Sequence, residues 1–430
     1  MIKAEIIAVG SELLLGGRTD MNSVFLAELL AQEGIEVRLK TVVGDDIKDI
    51  CAAISQASER ARVVMVTGGL GPTVDDLTRE AVAKLTGNSL RFRSKVFRSI
   101  EARFRAAGKT ISENQRRQAF LPIGSDVLQN PAGTAPGFSI KWKHSQIFCL
   151  PGVSHEARAM FMESVLPLLI KEKLVEEAIE SRFIHTFGLI EGAIDEKVKG
   201  IVTEASDIRL GMLASPLGVS VSLTRNPSFD AKKTNIQEGV RIYSNALLEV
   251  YLKKISSKLG FHVFGFDGQT MEQIIGDTLA SRGLKLALAE SCTGGLIGHR
   301  LTEVAGSSRY VDRGVLCYSN QAKIDLVGVP KSLLLKFGAV SGQVAKAMAQ
   351  GIRKQSSVDI GLSVTGIAGP RGGTKAKPVG LVFVGLATPQ KIYTKEFRFH
   401  GDRSTIKLRS SQGALDVLRR WLFDLPITDE

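Results

Sequence analysis

The sequence predicts an α/β protein of several domains, and three observations carry that prediction. At 430 residues the chain is longer than one ordinary domain. Apolar runs of strand length recur along it, with helix-period segments between them. Several of these runs end in loops of glycine and small polar residues, the place where open α/β sheets bind ligands.

The first strand is read over 4–10, a turn over 11–16 and a helix over 22–32. A second strand follows over 37–43, then a helix over 47–60. A third strand, 63–66, runs into Thr67-Gly68-Gly69-Leu70-Gly71-Pro72-Thr73. Glycines let the backbone approach a phosphate, and the start of the following helix, which runs through Leu85, favours an anion. Asp75, Asp76 and Thr78 stand at the head of that helix, the two acids either as hard-oxygen ligands for a divalent cation or as the acids common at helix starts. Asn114 and the turn cluster 130–137 add polar and glycine-rich loops.

The composition, 44% hydrophobic and 23% charged, is that of a globular protein. No apolar run reaches the roughly eighteen residues of a membrane span, and Met1-Ile2-Lys3-Ala4-Glu5 opens no signal peptide, so a cytoplasmic protein is expected. Cys51, Cys149, Cys292 and Cys317 lack metal-ligand spacing and predict neither a disulfide framework nor a zinc site. The net charge of +12 invites a nucleic-acid reading, with nine Lys/Arg against two Glu between Arg91 and Arg117. Phe92, Phe97 and Phe104 fall there at helical spacing, which favours a core stripe under a solvated basic face.

The segments 10–14, 67–73 with Asp75-Asp76-Leu77-Thr78, 130–137 and Leu150-Pro151-Gly152-Val153 resemble the molybdopterin-binding-like domain of the CinA family. This match covers 1–170. It implies a three-layer α/β fold and, in some members, a metal-dependent pyrophosphatase that cleaves ADP-ribose to AMP and ribose 5-phosphate. It also implies nucleotide contacts from Glu12, Thr67, Gly68, Gly69, Gly71, Thr73, Asn114, Gly133 and Thr134. Asp75 and Asp76 would hold the divalent cation, Mg2+ or similar, with a monovalent cation as an optional companion.

Over 171–252 the chain reads as a small α+β module, with strands at 183–186 and 219–223 and helices at 194–203 and 235–252. The family resemblance implies a KH-like domain here. No Gly-x-x-Gly loop stands between its helices, so a spacer or dimerisation role is expected rather than RNA binding. Residues 253–269 are read as a linker because Gly260, Gly265 and Gly268 interrupt any long helix.

The last domain is read over 270–430. A helix over 271–281 precedes a strand over 285–289, which delivers Glu290-Ser291-Cys292-Thr293-Gly294-Gly295. Further strands are read at 315–318, at 360–370 where the strand ends in a glycine loop, at 379–387 and at 393–399. Three of them end in small polar clusters that can converge on one cleft. Ser291 is therefore either a nucleophile beside oxyanion-holding amides of Thr293, Gly294 and Gly295 or an ordinary helix cap. A serine needs a base. His299 lies two turns into the next helix and His400 in a surface turn, which argues against a Ser-His-Asp triad. Lys323 is the alternative base, with Tyr318 as a relay, although spacing alone also allows an exposed lysine and a half-buried tyrosine.

Glu290–Gly295, Gly306-Ser307-Ser308, Tyr318-Ser319-Asn320 with Ala322-Lys323, Gly338-Ala339-Val340-Ser341 and the loop 364–370 resemble the C-terminal amidohydrolase domain of CinA. The resemblance implies a metal-free, cofactor-free deamidation of nicotinamide mononucleotide to nicotinate mononucleotide and ammonia. Ser291, Tyr318 and Lys323 occupy its catalytic positions. Ser307, Ser308, Thr365 and Arg403 are candidates for the nucleotide phosphate, and Arg371 departs from the small residue of many relatives. A homodimer acting on small nucleotides, without membrane or nucleic acid, is the expectation. A molybdopterin-binding or nucleic-acid-binding protein is the alternative.

Overall fold

The computed structural model describes residues 2–175, 180–202, 208–225 and 241–427. These fall into two compact units, 2–180 and 181–427. The first contains strands β1 (Ile2–Val9), β2 (Ile35–Val43), β3 (Val63–Thr67), β4 (Leu90–Phe92), β5 (Phe120–Pro122), β6 (Asp126–Leu128), β7 (Gly137–Trp142) and β8 (Ser145–Leu150). Six of them form a sheet in the order β2-β1-β3-β8-β7-β6, and β4 pairs with β5. The four strands β2, β1, β3 and β8 run parallel, with β7 and β6 antiparallel beyond them.

Every residue of β3 is buried, as expected of a strand covered on both faces. Val64 and Val66 face a core built with the helix Ile47–Arg60, while Val63 and Met65 face one built with the helix Asn22–Gln32. The expected three layers are present. The basic stretch also behaves as expected: Val96 and Ile100 of the helix Ser94–Ala106 are buried, and Phe92, Phe97 and Phe104 pack on the same core.

One glycine of the loop after β3 has no substitute. Gly68 adopts φ +103°, and an added Cβ would lie 2.1 Å from the carbonyl oxygen of Val9. Gly68→Ala is expected to destabilise this unit by about 3 kcal/mol or more, from backbone strain and overlap together. Denaturant unfolding followed by Trp142 in a Trp421→Phe background measures it; an unchanged midpoint would contradict the steric argument.

In the second unit, β9 (Glu180–Thr186), β10 (Ile208–Ser215), β11 (Gly218–Arg225) and β12 (Val263–Phe266) form a sheet ordered β10-β11-β9-β12. The helices Glu191–Val198 and Arg241–Leu259 cover it. The expected helix over 194–203 starts earlier and ends at Val198, and Thr203 lies outside the described residues. That over 235–252 begins outside them too, and runs on to Leu259. The linker over 253–269 is corrected. Lys253–Leu259 complete the helix, and β12 joins the sheet antiparallel to β9. Its glycines have other tasks: Gly260 takes φ +57° just after the helix, and Gly265 lets Ile274 approach β12 closely.

The sheet that carries the candidate site has the order β14-β13-β15-β16-β17, from β13 (Leu286–Glu290), β14 (Val311–Leu316), β15 (Ile360–Gly366), β16 (Leu381–Ala387) and β17 (Ile392–Arg398). The helix Gly342–Ser356 covers one face, and the helices Met271–Ser281 and Arg403–Leu422 the other. Sequence reading missed the last of these, although it is twenty residues long. Its polar look misleads: buried Asp416 bonds both Arg419 and Arg420, each at 2.7 Å. Asp402 caps its start by accepting from the Thr405 amide at 2.7 Å.

Candidate active site

Strands β14 and β15 flank β13 on opposite sides and run parallel to it. The chain thus leaves β13 in one direction and returns on the other side, which opens a crevice at the carboxyl end of β13. Ser291 is the residue there. Its amide donates to the Val364 carbonyl at 3.0 Å, and the Cys317 amide donates to the Glu290 carbonyl at 2.7 Å, so both neighbouring strands hold the turn.

Lys323 reaches this serine. It lies in the first turn of the helix Asn320–Val327, whose N-cap Ser319 accepts from the Ala322 amide at 3.0 Å. Its Nζ stands 3.1 Å from Ser291 Oγ, 2.7 Å from the Cys317 carbonyl and 3.1 Å from the Tyr318 carbonyl. Lys323 is 1% exposed and Ser291 8%. Burial pulls the lysine below its ordinary pKa. Among the described residues no carboxylate pairs with it, and its place at a helix start adds a further disfavour to the cation. The neighbouring thiols supply no charge at neutral pH, because burial pushes Cys292 up to about 12 and Cys317 up to about 11. A neutral amine has two N–H groups, which the two carbonyls satisfy, and its lone pair is left for the Ser291 hydroxyl.

The turn itself differs from expectation. The Gly295 amide donates to Glu290 Oε2 at 3.0 Å and the Gly294 amide to the Ser291 carbonyl at 3.2 Å, so neither is left for an oxyanion. Glu290, 2% exposed, also accepts from Ile297 and Gly298 at 3.2 and 2.8 Å. The helix start is thus filled by the protein's own carboxyl group. The turn amides with no oxygen acceptor among the described residues are those of Cys292 and Thr293, which face the Cys292 sulfur. Thr293 is buried, and its Oγ1 has no partner among the described residues.

Tyr318 is 65% exposed, and its hydroxyl accepts from Arg403 at 3.2 Å rather than meeting Ser291 or Lys323. It contributes its carbonyl to the lysine, not a phenol relay. Arg403 also donates to the Gly369 carbonyl at 2.8 Å, which joins the ends of β14 and β15 across the crevice. Ser307 and Ser308 are not in this crevice. They precede β14, where the Ser308 carbonyl meets Lys285 just before β13, at the opposite edge of the sheet. Thr365 is buried with its hydroxyl spent on the Ala339 carbonyl at 2.8 Å. Lys407, which sequence reading missed, places a cation beside the serine turn: its Nζ is 3.4 Å from where a Cβ on Gly294 would stand. Its signal lay in the unread helix. His299 and His400 are exposed, as expected, and Arg371 lies exposed in the loop between β15 and β16.

The first unit repeats the crevice logic, since β2 and β3 flank β1 on opposite sides. A cavity at the carboxyl ends of β1 and β3 is lined by Glu12, Arg18, Asp20, Asn22, Thr67 and Ser154. Several expected ligand residues are committed to the fold instead. Thr67 Oγ1 accepts from Asn22 at 2.8 Å and donates to the Pro151 carbonyl at 3.1 Å. Asp76 receives the amides of Gly71 and Thr73, both at 2.8 Å, and the Thr73 hydroxyl. Gly69 and Gly71 leave room for Thr78 and Asp76. The Gly133 amide is held at 2.7 Å by Asn130, which Glu156 anchors at 2.7 Å. Asn114 is exposed, and Thr134 half-buried.

As a donor set for a metal, Asp75 and Asp76 fit unequally. Asp76 is consumed as the loop's internal staple, whereas Asp75 is exposed, with Thr73 and its own amide holding its carboxyl below the usual range. Among the described residues no three His, Cys, Asp or Glu side chains converge as a metal cluster. Of the two acids, Asp75 alone has a carboxylate left to hold a divalent cation such as Mg2+, and no all-protein cage surrounds it among the described residues.

Two family matches coincide with the two crevices. Residues 5–171 match the "Probable molybdopterin binding domain", and residues 268–422 match the "CinA C-terminal domain". A protein of Caldicellulosiruptor saccharolyticus, provisionally named competence-damage inducible protein, is 42% identical over 421 residues, covering 98% of this chain and 99% of its own. The CinA-like protein of Kosmotoga olearia is 39% identical over 424 residues, 99% of this chain and 100% of its own. The crystal structure of the competence/damage inducible protein CihA from Agrobacterium tumefaciens is 43% identical over 34% of this chain and 91% of its own, with a TM-score of 0.34. With relatives of this identity along nearly its whole length, and each domain match centred on one of the glycine-loop crevices, the chain belongs to the CinA family, joining a molybdopterin-binding-like domain to a CinA C-terminal domain.

Proposed function

We propose that the second unit is a Ser-Lys amidohydrolase that deamidates nicotinamide mononucleotide to nicotinate mononucleotide and ammonia. The observation that carries this reading is the 3.1 Å approach of buried Lys323 Nζ to Ser291 Oγ, with no carboxylate to hold the amine charged. Lys323 accepts the Ser291 proton as Oγ attacks the carboxamide carbon. The amides of Cys292 and Thr293 are the donors for the oxyanion. The C–N bond breaks, and ammonia leaves with the proton that Lys323 returns. Water then attacks the ester, giving a proton back through Lys323 to Ser291 Oγ and releasing the carboxylic acid. Arg403 and Lys407 supply the cations for the 5′-phosphate. The residues of this chain suffice for every step, so no cofactor is invoked. Ammonia release from nicotinamide mononucleotide by wild type and Ser291→Ala tests the reading: a Ser291→Ala rate near wild type would sink it.

We infer for the first unit a cation-dependent cleavage of ADP-ribose to AMP and ribose 5-phosphate, supported by the crevice, the glycine loop and exposed Asp75. A divalent cation bound there would neutralise pyrophosphate charge, with Asp75 as its protein ligand. Asp75→Asn is expected to reduce that activity without changing thermal unfolding, because Asp75 is exposed. Asp76→Ala is expected to lower the melting temperature by removing the loop's three internal bonds. Equal melting losses in both variants would overturn this division of roles. A cytoplasmic homodimer working on small nucleotides completes the proposal, in keeping with four unpaired cysteines and no helix among the described residues long and apolar enough to cross a membrane. The core placement of Phe92, Phe97 and Phe104 supports reading the basic stretch as a solvated face over a core.

A further inference from the structure

A second cavity, of about 430 Å³, lies within the second unit away from Ser291. One wall is β17 with Lys395 and Phe397, followed by Phe399, and the helix Arg403–Leu422 with Arg409, Asp416 and Arg420; the other is the loop 187–190 with Glu191 and the turn at 214–218. Its size falls within the range of small-molecule sites, ~300–1,000 Å³. Arg409, which lines this cavity, is two residues beyond Lys407, about 200° around the helix at 3.6 residues per turn, so the cavity and the amidohydrolase crevice lie against opposite faces of that helix.

The lining has two characters. Phe397 and Phe399 lie nearly parallel, with ring centroids 5.2 Å apart and planes 14° apart, and Gly413 lets both rings rest against the helix. Around them stand Lys395, Arg398, Arg409 and Arg420 against only Glu191 and Asp416. Asp416 is already taken up by Arg419 and Arg420, and Arg398 pairs with Glu396 at 2.9 Å. Arg409 has no hydrogen bond or ion pair to a described residue. Ile190 stands at the lip of the cavity, 75% exposed. No cysteine or histidine lines it, so the cavity is equipped to bind rather than to react.

We propose that this cavity is a second ligand site that takes a nucleoside monophosphate, with its base on the apolar wall of Phe397 and Phe399 and its phosphate on Arg409. A planar ring exploits the aromatic wall, and an anion uses a guanidinium that the protein leaves unpaired. Neither half suffices alone. Trp421 follows Arg420 on the same helix and reports on occupancy by its fluorescence. In a full-length Trp142→Phe background, AMP is expected to change Trp421 emission saturably, and adenosine or inorganic phosphate to do so at least tenfold less tightly. Arg409→Glu, in the floor, and Ile190→Asp, on the opposite lip, are each expected to weaken AMP at least tenfold. Arg403→Ala, which belongs to the other crevice, leaves the titration unchanged. Far-UV circular dichroism and the melting temperature verify that the variants fold. No saturable change with AMP, wild-type affinity in either folded charge variant, or loss of the response in Arg403→Ala would each overturn the proposal.

Discussion

Replacing Lys323 by methionine is expected to lower kcat for ammonia release by about 10²- to 10⁴-fold, the usual worth of a positioned proton acceptor. KM changes little, because Lys323 meets the nucleophile rather than the nucleotide. Arginine does not rescue, since a guanidinium keeps its proton. The pH profile is the sharper readout. Burial lowers the Lys323 pKa first of all, so the reactive neutral amine accumulates at a lower pH than for an ordinary lysine. The rate therefore climbs with pH through that lowered value and then levels. Stability follows the same sign. Between the folded value and the unfolded lysine's ~10.4, the unfolded chain binds more protons than the native one, so unfolding free energy rises with pH there. Lys323→Met removes that slope as well as the activity. A folded variant with wild-type kcat, or an unaltered pH profile, would reject Lys323 as the base.

The sequence carried the strands and the crevices because their signals are local, whereas the pairing of Ser291 with Lys323, 32 residues apart, was implied by the family resemblance and not by spacing. A buried strand is a run of apolar residues, and a loop after it is a run of glycines, as in 63–73 and 286–295. What it carried less well was the destination of polar groups. Asp76 and Thr67 have the composition of ligands, yet their oxygens are satisfied by neighbouring amides, hydroxyls and carbonyls. Ser307 and Ser308 suit a phosphate chemically, but strand direction puts them at the wrong edge of the sheet. The helix Arg403–Leu422 was hidden because its charged residues look solvated although Asp416, Arg419 and Arg420 are buried together, and with it were hidden Lys407 beside the serine turn and Arg409 in the second cavity. Spacing reveals periodicity, whereas which partner neutralises a buried charge is decided in three dimensions.

Glu290 is the residue whose loss joins stability to chemistry. Its carboxyl oxygens take three backbone amides, from Gly295, Ile297 and Gly298, and it is nearly sealed from water. Glu290→Ala leaves those donors buried without acceptors, at about 1–3 kcal/mol for each unsatisfied group. Partial relaxation of the turn makes roughly 3–5 kcal/mol the expected total. Glu290→Gln is gentler. Its oxygen replaces Oε2 and serves Gly295 and Ile297, while its amide nitrogen faces the Gly298 N–H and repels it. A loss of about 1–3 kcal/mol follows from that single mismatch. The catalytic effect exceeds the stability effect, because these amides set where Ser291 stands relative to Lys323. A displacement of ~1 Å costs on the order of 10²-fold in rate. Thermal unfolding followed by Trp421, together with single-turnover ammonia release, separates the two quantities. Glu290→Gln should stay folded at assay temperature with a sharply reduced kcat, and a folded Glu290→Gln with full activity would show that Glu290 does not position the serine.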